Sequence, residues 1–118
     1  RAGRLFDDAI ARCSWPIELH NDPAHAYWEE LGDNHIHTVP LGSLLHCDAD
    51  NLAAAGRCID GDTVGLSSVR VMGPCMAMGA AAAHALILAG SGSVHQIDIG
   101  ALKSVIGDNM ERSDPDTP

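Results

Sequence analysis

The chain has 118 residues, 46% of them hydrophobic and only 3% aromatic, so it holds one domain at most, with a core of small side chains. Seven basic residues against sixteen acidic ones give a formal charge of −9, which excludes a binder of phosphate backbones, and no nucleic-acid partner is expected. The first residue is Arg1 rather than Met, so the expectation is that either something was removed or the chain is a piece of a longer polypeptide.

No signal peptide is visible: residues 1–8 are charged, and no apolar run follows them. A cytoplasmic location is expected. Residues 71–90 carry no charge and are long enough to span a membrane. Pro74 and Gly79 interrupt them, alanine dominates and His84 sits inside, so a buried helix is expected and no membrane partner. Cys13, Cys47, Cys58 and Cys75 include no C-x-x-C pair and read as free, mostly buried thiols. His35 and His37 alternate as two residues on one strand face would, but no Cys/His set has standard ligand spacing, so no metal is expected.

In chain order, residues 1–14 read as a short helix or turn. Residues 15–20 alternate apolar and polar, a strand signal at Pro16. Asn21-Asp22-Pro23 is a turn, and residues 24–31 read as an irregular or helical insert closed by Gly32-Asp33-Asn34. Residues 35–39 alternate again, and Pro40 ends that strand. The apolar run 52–55 suits a buried strand stopped by Gly56. Residues 58–68 read as loop and 68–71 as extended. The clearest helix spans 74–89, with Pro74 at its first position and Gly90 as its stop. A second helix is expected over 98–109, where Ile99, Leu102, Val105 and Ile106 share one face. The tail from Ser113 is polar and expected to be disordered.

Residues 51–79 carry the chemistry. A glycine after a strand end lets backbone approach a ligand closely. Asp60 and Asp62 can accept from a sugar-like hydroxyl. Amides near Gly73 and Met76, at the positive end of a helix dipole, favour an anion or a polarised carbonyl oxygen. Arg70, on an apolar stretch, needs a carboxylate or a cofactor phosphate as partner. By pattern alone this is either a small-molecule site or a loop between two core elements.

Three strings resemble a known family. They are Val39-Pro40-Leu41-Gly42-Ser43-Leu44-Leu45, then Asn51-Leu52-Ala53-Ala54-Ala55-Gly56-Arg57-Cys58-Ile59, then Ser68-Val69-Arg70-Val71-Met72-Gly73-Pro74-Cys75-Met76-Ala77-Met78-Gly79. They are similar to the C-terminal segment of bacterial FAD-dependent oxidoreductases, an uncharacterised branch distantly related to the fumarate reductase and succinate dehydrogenase flavoproteins. Phe6 to Arg12 and Trp15 to Glu18 resemble that branch too. The resemblance implies an α/β fold: the C-terminal part of a Rossmann-like FAD-binding domain over residues 51–112, plus a few substrate-domain strands over 1–50. It implies FAD as cofactor. Gly56, Arg57, Asp60 and Asp62 would lie along the ribityl and pyrophosphate, with Arg70 also on the cofactor. Val71, Met72, Cys75 and Met76 would lie near the flavin ring.

The departures are specific. Leu41-Gly42 stands where the family carries an aromatic–arginine pair, Gly61-Asp62-Thr63 where it carries Ala-Thr-His, and Ala83 where it carries a glycine. No G-x-G-x-x-G opens a βαβ unit. The expected partners are therefore the remaining N-terminal FAD-binding part of the enzyme, on the same or another chain, and a small-molecule substrate. An oligomer is expected, and the isolated chain should be inactive. The rival readings are an assembly module that has lost flavin and a histidine-based metal-binding module.

Overall fold

A computed structural model describes residues 2–111, apart from the side chain of Asn21. Among the described residues four strands are followed by three α-helices: β1 (Ala9–Cys13), β2 (Ile17–Asp22), β3 (His25–Glu29), β4 (His37–Pro40), α1 (Thr63–Val69), α2 (Met72–Ala89) and α3 (Ile99–Val105). The fold is mixed α and β, and the strands form two antiparallel pairs, β1 with β4 and β2 with β3.

β1 replaces the helix or turn read over residues 1–14. Its residues do not alternate because both faces are covered: Ala9, Ile10, Ala11 and Cys13 are all buried. β4 lies beside it, with Ala11 opposite Val39 and Cys13 opposite His37. β3 replaces the insert read over 24–31. The Asp22 carboxylate accepts from the Ala24 amide at 2.8 Å, closing the turn and returning the chain along β2. Most of β3 is exposed, so it lacks the one-sided burial that gives a strand its pattern.

Residues 52–55 form no strand; Ala53 makes an isolated bridge to Leu45. The stretch read as loop contains the 3-10 turn Gly56–Cys58 and helix α1. Asp62 starts α1 by accepting from the Gly65 amide at 2.6 Å. Residues 68–71, read as extended, are the end of α1 and a sharp joint. α2 then begins two residues earlier than read, so Pro74 is its third residue. Gly90 ends it as expected, at φ +56°. The helix read over 98–109 splits into α3 and the 3-10 turn Gly107–Asn109. The tail from Ser113 lies outside the described residues.

α2 is long and apolar enough to cross a membrane; it packs one face on β1, but only 28% of it is buried, so it is less covered than the buried helix read from the sequence. Met78, Ala81, Ala82 and Ala85 on that face join Ile10, Leu44, Val94 and Leu102 in one core. This core takes residues from both sides of position 50. The Asn109 side-chain amide ties it together, donating to the carbonyls of Ile10 at 3.2 Å and Ala77 at 3.0 Å. The thiols depart from the sequence reading: Cys13 is buried and Cys75 half-buried, but Cys47 and Cys58 are exposed.

Candidate functional site

The joint between α1 and α2 is fixed to the strands by three side chains. Ser68 Oγ donates to the Trp15 carbonyl at 2.5 Å. The Arg70 guanidinium donates to the Glu18 carbonyl at 2.9 Å. The Cys13 thiol donates to the Ser68 carbonyl at 3.5 Å. These bonds set where α2 starts. Burial pushes the Cys13 thiol up, the direction that keeps it protonated and inert.

The start of α2 opens on a cleft of about 900 Å³. One wall is the end of β1, from Arg12 to Trp15; another is the 32–36 loop; the third is Val71, Met72, Gly73 and Pro74. This volume is in the range of small-molecule sites. Among the described residues no side chain caps α2. Its first internal bond runs from the Cys75 amide to the Val71 carbonyl at 3.1 Å. Pro74 has no N–H, so Met72 and Gly73 present amides with no partner inside the helix. A methyl group built on Gly73 would meet nothing within 4 Å, so space lies open over this first turn. Arg12 is the one basic side chain on the wall apart from the imidazole of His35, and Asp33 is the acid.

His35 brings a second polar element. Its ring centroid is 5.3 Å from that of His37, and among the described residues neither His35 Nε2 nor His37 Nδ1, both buried, has a hydrogen-bond partner. His37 Nε2 lies 3.1 Å from Ser68 Oγ. Ser68 already donates to Trp15, so His37 is the donor there, which leaves its Nδ1 as a bare acceptor. Burial, and then the neighbouring His35, hold the His37 imidazole below its ordinary value.

The sequence candidates are dispersed. Val71 and Met72 stand on the cleft wall. Gly56 turns at φ +69° beside Cys75 on the flank of α2. Arg57 and Asp60 are exposed and away from the cleft wall. Asp62 is engaged as the cap of α1, and Arg70 on a backbone carbonyl rather than a carboxylate. Cys75 is half-buried and Met76 is 71% exposed, neither of them on the cleft wall.

Arg12, Asn34 and His35 are cleft residues that sequence reasoning missed. Asn34 adopts φ +60°, and the only trace of it was the turn composition of Gly32-Asp33-Asn34.

Residues 1–106 match the family described as FAD dependent oxidoreductase. No curated protein and no solved structure matches the chain. The family match takes in every strand and helix described above; the chain therefore belongs to the FAD dependent oxidoreductases, and its cofactor is FAD.

Proposed function

We propose that this chain forms the flavin-facing part of an FAD-dependent oxidoreductase acting on a small molecule. The remaining N-terminal FAD-binding part, on the same or another chain, would complete the site. The observation that carries this reading is the cleft at the uncapped start of α2. The amides of Met72 and Gly73 suit the edge of a flavin ring, where negative charge develops on reduction. The open space over Gly73 suits a flat ring lying close to backbone.

The residues fit the ring end of the cofactor better than its pyrophosphate end. Asp62 and Arg70 are engaged inside the fold, and no G-x-G-x-x-G is present. FAD, when bound, supplies the hydride chemistry. The chain's own part is to present donors at Met72 and Gly73, to hold α2 in place through Ser68 and Arg70, and to wall the cleft with Trp15 and Ile36.

Two further observations support a completing partner. The radius of gyration is 15.1 Å, against about 13.5 Å for a self-contained domain of this length. Met72, Met76 and Ile87 on α2 are 78%, 71% and 72% exposed. Such a stripe is a surface for other parts of an enzyme or of an oligomer. It equally favours the second reading, an assembly module that has lost flavin. Visible and mass spectra of the native protein separate the two. A yellow protein carrying FAD supports the first; a colourless, stable monomer overturns it. We place the enzyme in the cytoplasm.

A further inference from the structure

The loop that follows Leu45 lies apart from the cleft. His46, Cys47 and Asp48 are consecutive and exposed, and one ligand atom from each lies within 4.8 Å of the other two. We propose that this loop is a binding site for a divalent cation of borderline softness, zinc being the natural case, held by His46 nitrogen, Cys47 sulfur and Asp48 oxygen. The proposal is independent of the flavin reading.

The donor set is the first argument. Imidazole, thiolate and carboxylate are the three side-chain ligands that zinc takes, with water in the fourth position. In a tetrahedral zinc site such donors lie about 3.3–3.8 Å apart. The loop therefore needs only side-chain rotations to close around an ion.

The second argument is preorganisation. The His46 amide donates to the Leu52 carbonyl at 3.3 Å, and the Ala49 amide to the His46 carbonyl at 3.3 Å. The Val94 amide donates to the Asp50 carbonyl at 2.8 Å. From outside the loop, His95 Nε2 lies 3.2 Å from the carbonyls of both His46 and Ala49. Carbonyls only accept, so His95 donates and braces the turn. The backbone carrying the three ligands is thus held before any ion arrives.

One bond must yield. The Asp48 amide donates to His46 Nδ1 at 3.1 Å, which puts the proton of neutral His46 on Nε2. Coordination through Nδ1 replaces that exposed bond, and water takes the amide. Cys47 binds as the thiolate, so each ion bound releases one proton to solvent. Ligand-spacing rules overlook the site because its ligands are adjacent, without the two to four intervening residues of familiar zinc motifs.

Cobalt titration of the reduced protein tests this. The expected result is one Co²⁺ per chain, with a sulfur-to-metal charge-transfer band and a melting temperature raised by the ion. Cys47→Ser abolishes the band, His46→Ala and Asp48→Asn each weaken binding by at least about tenfold, and Cys58→Ser changes nothing. His95→Ala weakens binding but leaves the band, as befits a positioning residue. All these side chains are exposed, and far-UV circular dichroism checks that the variants fold. The proposal is overturned by the absence of the band in the unaltered protein, by its survival in Cys47→Ser, or by unchanged affinity in both His46→Ala and Asp48→Asn.

Discussion

Gly56 faces Cys75 between the 3-10 turn and α2: a methyl group on Gly56 would stand 3.5 Å from Cys75 Sγ. That separation is ordinary contact, so space is not the constraint at this position. The backbone is, since Gly56 sits at φ +69°. Gly56→Ala should therefore destabilise the protein by about 1–2 kcal/mol through backbone strain alone. Urea denaturation should show a lower midpoint with an unchanged slope. Cys75→Ala, which makes more room, should not rescue it.

Asp62 gives a second, independent test. Its carboxylate is the cap of α1, and removing it leaves the Gly65 amide without that acceptor. Asp62→Ala should cost about 1 kcal/mol, and Asp62→Asn or Asp62→Ser much less. If Asp62 instead served FAD, the loss would fall on flavin affinity with the melting temperature unchanged.

The Arg70 bond to the Glu18 carbonyl joins the start of α2 to β2. A charged donor to a carbonyl contributes about 1.5–3 kcal/mol. Arg70→Met should lower stability by that order, and Arg70→Lys by less. In the flavin-loaded enzyme both should also loosen FAD, because α2 would lose its anchor. Unfolding curves and retained flavin absorbance check the two effects separately.

The His37 imidazole is held below its ordinary value of 6.5, by burial first and then by His35. The unfolded chain then binds more protons than the folded one between that lowered value and 6.5. Stability should be level above this window and fall as pH drops through it. His37→Asn should flatten the slope in melting temperatures taken from pH 8 to pH 5. An unchanged slope would assign the effect to another histidine.

Much of the fold was legible where the pattern had a physical reason to appear. α2 showed through its uncharged run and Gly90, and β2 and β4 through the alternation of apolar and polar residues in their sequences. β1 did not show, because Ala9, Ile10 and Ala11 are buried on both faces and cannot alternate. β3 did not show because it is exposed on both faces. α1 was hidden by Gly61 and Gly65, which read as breaks although Asp62 caps a helix there.

The site was legible in part. Val71 and Met72 came from the family resemblance, and both line the cleft; the free amides of the helix start were read near Gly73 and Met76, because the helix was read from Pro74 and begins at Met72. Arg12 and His35 were not legible, since only the antiparallel pairing of β1 with β4 brings the end of one strand beside the approach to the other.

The central claim is that this chain carries the ring-facing end of a flavin site and depends on a further FAD-binding part for the rest. FAD titration of the 118-residue chain, alone and together with that part, tests it most directly. The account predicts negligible binding by the chain alone and one FAD per complex, lost on Gly73→Val, which fills the space over the first turn of α2. Stoichiometric FAD on the chain alone would contradict it, as would a complex whose flavin is indifferent to Gly73→Val.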